Sequence, residues 1–199
     1  LAEFGLPATS PEYRRQGIGQ ALFNAPVEDF TDMGGEAIFL GSSSYAFRTY
    51  NRAGFRKLVG SPALVYVTSG ASPEEYLVDF FRDIGSCIVS SGKYSDNIPA
   101  VPLVHTPHDW QILDSNVNLL SLRYSQYAGF AGQVGRFIKL LDTKDSTFFA
   151  SRAGDREKVV GLSTAVLKPD TNTCNVDGFT HPYYIESWNQ LMGLALEWG

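Results

Sequence analysis

Cysteine is scarce: Cys87 and Cys174 are the only two in 199 residues. They lack CxxC spacing and a histidine cluster beside them, so neither a disulfide framework nor a zinc site follows. Only three histidines occur. His105 and His108 flank Pro107 and, with Asp109, could imitate a metal site, but the arrangement reads more simply as the approach to a helix with Asp109 as its N-cap. His181, beside Pro182, reads as a loop residue, and no metal is expected. Charge of one sign never accumulates. The 16 basic and 21 acidic side chains give a net charge of −5 without long runs, so there is no basic footprint for a nucleic acid backbone. Apolar runs fall far short of the roughly 20 residues that span a bilayer, and the first residues lack the basic and apolar regions of a signal peptide. The reading is a soluble cytoplasmic protein that binds neither nucleic acid nor membrane. An initiator methionine is also missing from a chain that opens directly into an apolar strand, which leaves open whether Leu1 is the natural start.

Hydrophobic side chains make up 44% of the sequence and three tryptophans are present, enough for one sizeable core or two small ones. Ala2 to Ala8 reads as extended, Ser10-Pro11-Glu12 breaks it, and an apolar helix begins at Ile18, Ala21, Leu22 and Phe23. Gly34-Gly35 ends that helix. Ala37 to Leu40 is a buried strand, and Ala46 to Ala53 has helical spacing with Gly54 at the C-cap. Phe55 to Val59 and Ala63 to Thr68 form two strands around the Gly60-Ser61-Pro62 turn. Residues 70–100 read as a linker with an amphipathic helix from Pro73 to Ile84, separating segment 1–69 from segment 101–199. In the latter we expect a strand at Val101 to His105, helices at Asp109 to Arg123 and Val134 to Leu141, and strands at Thr147 to Arg152, Val159 to Leu167 and Cys174 to Phe179. A last helix runs from Ser187 to Trp198.

The stretch Arg14-Arg15-Gln16-Gly17-Ile18-Gly19 lies between a strand and a helix. A diphosphate is bound well by converging backbone N–H groups at a helix N-terminus, where they have no intrahelical partner and the macrodipole favours negative charge. Gly17 and Gly19 let the backbone approach, the amides of Arg15 to Gly19 donate, and Arg14 or Arg15 offers a guanidinium. A GxGxxG dinucleotide loop and a GKS or GKT Walker loop are both absent.

The stretch Pro11-Glu12-Tyr13-Arg14-Arg15-Gln16-Gly17-Ile18-Gly19-Gln20-Ala21-Leu22 resembles, without gaps, the acetyl-CoA motif of the GCN5-related N-acetyltransferase (GNAT) family. Tyr45-Ala46-Phe47-Arg48-Thr49-Tyr50-Asn51-Arg52-Ala53-Gly54-Phe55 resembles a second block of the same family. The resemblance covers residues 1–68 and implies a mixed α/β (α+β) GNAT acyl-CoA N-acyltransferase fold. It also implies acetyl-CoA as co-substrate and direct acetyl transfer to a primary amine of a small molecule or peptide. By the same resemblance the strand at Glu3 to Ala8 splays from Ala37 to Leu40, with pantetheine between them. Leu6, Ala8, Arg14, Arg15, Gln16, Gly17, Ile18, Gly19, Gln20 and Ser43 then contact the cofactor, Ser43 standing where the family often has asparagine. Tyr50 is placed to protonate the departing thiolate, or to pack its ring beneath the helix. Glu3 is placed to deprotonate the amine through water, or simply to be solvated.

Residues 101–199 more weakly resemble the front half of the same domain, so the halves stand in reversed order. Phe179-Thr180-His181-Pro182-Tyr183-Tyr184 echoes Ala8-Thr9-Ser10-Pro11-Glu12-Tyr13, but continuing the alignment sets Ile185 against Arg14, Trp188 against Gly17 and Gln190 against Gly19. If this is a second copy of the motif, it has lost the cradle or never bound phosphate. Either the chain spans the middle of a tandem GNAT protein, or the halves are permuted and complete one sheet within the chain or across a strand-exchanged homodimer. Tyr124, Tyr127 and Phe130 serve as core or as an acceptor pocket. A non-catalytic acyl-CoA-binding or scaffold domain is the alternative to an enzyme, and a half-domain without function is a third reading.

Overall fold

In the computed structural model, residues 1–3, 8–41, 47–82, 85–124, 132–155 and 157–199 are described. Strand β1 (Ala2–Glu3) is followed by a 3-10 turn at Pro11–Tyr13 and helix α1 (Ile18–Asp32). Helix α1 stops at a left-handed Gly34, with the Gly35 amide donating to the Phe30 carbonyl at 2.9 Å. Such a reversal satisfies carbonyls that the helix end leaves open. Strand β2 (Ala37–Gly41), helix α2 (Phe47–Arg52), the short strand β3 (Arg56–Lys57) and strand β4 (Ala63–Val67) complete this part. The four strands form one sheet in the order β1-β2-β4-β3. Strands β1 and β2 run parallel, with Ala2 opposite Ile38 and Glu3 opposite Phe39. The separation expected from Glu3 onward is therefore not present at Glu3 itself.

The run Ala37-Ile38-Phe39-Leu40 is apolar throughout because this sheet is covered on both faces. Ile38 and Leu40 pack with Phe23, Val27, Tyr50 and Phe55 beneath α1 and α2, while Ala37 and Phe39 face the core shared with the rest of the chain.

Helix α3 (Pro73–Arg82) opens with a capping box: the Glu75 amide donates to the Ser72 hydroxyl at 3.2 Å, and the Ser72 amide donates to the Glu75 carboxylate at 2.8 Å. Strand β5 (Cys87–Ser91) follows, on residues expected to be linker. Val101–His105, expected as a strand, is instead the short helix α4. All five of its residues are buried, so the β-branched, continuously apolar run carries no helical periodicity.

Asp109 to Arg123, expected as a helix, holds a hairpin of β6 (Ile112–Asp114) and β7 (Leu119–Leu120). The buried Asp114 carboxylate accepts the amides of Asn116 and Val117 at 3.0 and 3.2 Å, which folds the chain back at once. Asp109 is accordingly not an N-cap; its carboxylate pairs with Arg123. Helix α5 (Gln133–Lys139) leads to the meander β8 (Ser146–Ala153), β9 (Lys158–Lys168) and β10 (Thr173–Thr180), and α6 (Trp188–Trp198) closes the chain.

The second sheet has the order β10-β9-β8-β5. Among the described residues no strand of one sheet pairs with a strand of the other, so the single sheet within one chain, one of the arrangements the sequence left open, is not formed. The halves meet through a shared core that includes α3 and α4. Phe39 and Val65 of the first sheet share one apolar core with Leu103 and Val104 of α4 and with Phe148 and Val160 of the second. Burying one face of each sheet in this shared core satisfies both without a merged ladder. A bidentate pair joins Arg152 to Asp96 at 2.8 and 2.5 Å, both side chains about 5% exposed, and Arg152 also donates to Ser90 and Ser91. This pair fastens the turn before α4 to β8.

Candidate functional site

Helix α1 leads into β2 and packs back on Ile38 and Leu40, so the α1 N-terminus and the loop from Ala8 to Gly17 before it stand at the C-terminal end of β2. Pro11–Tyr13 makes a single 3-10 turn, with the Tyr13 amide on the Ser10 carbonyl at 3.0 Å. Arg14 Nε donates to the Thr9 carbonyl at 3.1 Å, and Gln16 Nε2 donates to the Glu12 carbonyl at 3.2 Å. Both long side chains are thus drawn back along the loop. Two left-handed residues then re-aim the backbone: Arg15 at φ 62° and Gly17 at φ 81°. For arginine that conformation costs about 1–2 kcal/mol, whereas glycine adopts it freely.

Gly17 is the N-cap of α1, and no side chain caps it. The first intrahelical bond runs from the Ala21 amide to the Gly17 carbonyl at 3.1 Å. The amides of Ile18, Gly19 and Gln20 therefore precede the ladder and have no intrahelical acceptor. The loop is exposed from Ser10 to Ile18, and no acidic residue sits in the first helical turn. A Cβ built on Gly17 meets nothing within 4 Å, and one on Gly19 meets only Thr9 Oγ1 at 3.7 Å. Open glycines over a fan of unpaired amides, at the end of a loop that carries two arginines, fit a diphosphate. Gln20 turns aside, its side-chain amide donating to Asn24 at 2.9 Å.

Tyr50 lies on α2 and is 6% exposed. Its ring meets Phe23 of α1 edge-on at 4.8 Å and Phe55 at 6.0 Å. Burial pushes its phenol upward, which keeps the hydroxyl protonated at neutral pH. Glu3 is half-buried on β1, and burial raises its carboxyl. The structure brings the loop residues, Ala8 and the first turn of α1 together, with Tyr50 packed under α1 by way of Phe23. Leu6, Ser43, Tyr127 and Phe130 lie outside the described residues. Tyr124 is exposed, its hydroxyl donating to the Asp109 carbonyl at 2.9 Å.

Three contributors escaped the sequence reading. Thr9 anchors Arg14 through its carbonyl and borders Gly19 with its hydroxyl, while Phe23 and Phe55 clasp Tyr50. Phe23 stands four residues after Gly19, on the same helical face, which is the signal that could have found it.

The echoed segment repeats the local shape. His181, like Ser10, is extended before a proline that opens a 3-10 turn, and its ring accepts the Tyr183 amide at 3.3 Å. From there the chain passes directly into α6 through Ser187, in helical conformation. No left-handed glycine intervenes, so the amides are not fanned outward as at Gly17. His105 ends α4 buried and stacked on Phe39, and His108 Nε2 lies 2.8 Å from the Leu103 carbonyl. Among the described residues no group of three or more His, Cys, Asp or Glu could hold a metal ion, and no helix is long and apolar enough to cross a membrane.

Comparison with curated proteins gave no match. A family model described as an acetyltransferase (GNAT) domain matches residues 4–65, which span the loop, α1, β2, α2, β3 and most of β4, so this segment of a mixed α+β chain is similar to that family.

Proposed function

We propose that the first segment binds acetyl-CoA through the Arg14–Gly19 loop and transfers its acetyl group to a primary amine of a small molecule or peptide. The observation that carries the reading is the left-handed Gly17 at the head of α1, which fans out the unpaired amides of Ile18 to Gln20 beside Arg14 and Arg15. Acetyl-CoA, when bound, supplies an activated acyl group as a thioester. The chain's own part is to orient it by main-chain donors and to manage two protons. Glu3, with a carboxyl raised by burial, is a better proton acceptor than an ordinary glutamate. Tyr50, neutral over the working pH range, is the proton donor for the leaving thiolate.

Burial of Tyr50 between Phe23 and Phe55 favours a second reading, in which the ring only supports α1 and the segment binds acyl-CoA without turnover. Calorimetry of the 199-residue chain with acetyl-CoA, alongside Gly17→Asp, tests the cradle. Micromolar binding that the variant loses supports it, and no binding by the folded parent rejects it. Thiol release in the presence of a panel of amines then separates transfer from binding alone.

A further inference from the structure

We propose that the cleft between the two halves is a binding site for a small organic monocarboxylate, with Lys158 as its counter-charge. The cleft has two compartments, of about 320 and 390 Å³, which share Glu36, Phe80 and Lys158. Each is at the lower end of the size range for small-molecule sites. Residue 36 precedes β2, and Val67–Ser69 close the antiparallel β4, so the cleft opens at the end of the first sheet opposite the Arg14–Gly19 loop.

Lys158 is half-buried at the start of β9. Its Nζ donates to the Phe80 carbonyl at 2.9 Å and lies 5.0 Å from the centre of the Phe80 ring. An ammonium has three protons to donate, and this one pairs with no carboxylate among the described residues. A partly desolvated cation without a counter-ion is costly, and both compartments converge on it. A second donor waits in the wall. The Tyr76 hydroxyl is buried with no hydrogen-bond partner, and burial raises its phenol so that it stays protonated. The Tyr76 hydroxyl without an acceptor and the two protons that Lys158 holds beyond its bond to Phe80 point to a ligand rich in acceptor oxygens.

The surroundings limit that ligand to one negative charge. Glu36 lines both compartments and Asp79 one, the latter shared with Arg82 at 3.1 Å, and a dianion would meet these carboxylates. Phe80 and Tyr76, with ring centres 5.8 Å apart, and the side chains of Ile98 and Pro99 provide an apolar bed for the rest of the molecule. An aromatic or aliphatic monocarboxylate fits this combination; a phosphate or an amine does not.

The test uses the whole chain without acetyl-CoA, so its outcome is separate from that of the loop. Calorimetry with 3-phenylpropionate is compared with phenethylamine and phenyl phosphate, and amide shifts locate the site. We expect saturable binding of 3-phenylpropionate alone, shifts at Thr68, Ser69 and Phe80, and affinity about tenfold weaker in Lys158→Met, which keeps the apolar stem over Phe80. Absence of binding, preference for the amine or the phosphate, or unchanged affinity in Lys158→Met overturns the proposal. Should that variant be poorly folded, the three-ligand comparison on the parent chain decides alone.

Discussion

Gly19→Ala is expected to make the protein more stable and its cofactor binding weaker at once. Gly19 lies in the first turn of α1, outside the left-handed region, and an added Cβ meets only Thr9 Oγ1 at 3.7 Å, an ordinary contact. Alanine thus enters without strain. In a helix it is favoured over glycine by about 0.5–1 kcal/mol, which for a chain of this length raises the melting temperature by roughly 1–4 °C. The same methyl group projects into the space that a diphosphate needs in order to reach the amides of Ile18 to Gln20. Losing one charge-assisted hydrogen bond there costs about 1.5–3 kcal/mol, a weakening of acetyl-CoA binding by about tenfold to a hundredfold. Urea denaturation and calorimetry on the same preparations read both quantities. Gly17→Ala is the internal contrast: its Cβ also finds open space, but at φ 81° the left-handed backbone costs about 1–2 kcal/mol, so stability and binding fall together. A Gly19→Ala protein that binds acetyl-CoA as tightly as the parent would refute the cradle argument.

Tyr50→Phe keeps the ring between Phe23 and Phe55, so stability should change little, while turnover falls about a hundredfold with unaltered acetyl-CoA affinity; equal turnover would leave the tyrosine a packing role only. Asp96→Asn leaves the buried Arg152 guanidinium without its counter-charge and should cost about 3–5 kcal/mol in chemical denaturation, much of it recovered by pairing Asp96→Leu with Arg152→Met; loss under 1 kcal/mol would contradict the burial assigned to this pair. Burial raises the Asp114 carboxyl from 3.8 to about 6, so the neutral acid is the form the fold favours. Its stabilising contribution is full below pH 3.8 and lost as pH rises through 6, a difference on the order of 3 kcal/mol. Asp114→Asn should therefore gain stability relative to the parent between pH 4 and pH 7, and parallel melting curves across that range would disprove the assignment. His105 works in the opposite sense. Burial lowers it to about 3, so its contribution is full above pH 6.5 and lost on acidification, and His105→Gln should flatten the acid limb of the melting curve.

The loop and α1 were legible because their residue types are local requirements. A left-handed N-cap wants glycine, a diphosphate wants unpaired amides and guanidinium groups, and a helix end wants the Gly34-Gly35 reversal. Strands β8, β9 and β10 were legible from their length and β-branched content. Helix α4 was misread as a strand because burial on every side removes the apolar-polar contrast that marks a helix. The β6–β7 hairpin was misread as a helix because Leu113, Val117 and Leu120 fall at helical spacing, while the Asp114 side chain that breaks the helix looks like any surface aspartate in sequence.

Sequence alone determined where a loop of arginines and glycines heads a helix, which family's block it resembles, and that the echoed segment at Thr180–Tyr184 lacks the glycines to repeat it. Only the tertiary structure decided that the halves form two separate sheets sharing a core, that Tyr50 is packed between two phenylalanines, and that Lys158 faces a cleft without a carboxylate partner among the described residues. The division has a physical cause. Turn conformation and helix-end chemistry depend on neighbours within a few residues, whereas burial, ring packing and ion pairing depend on groups brought together from distant parts of the chain.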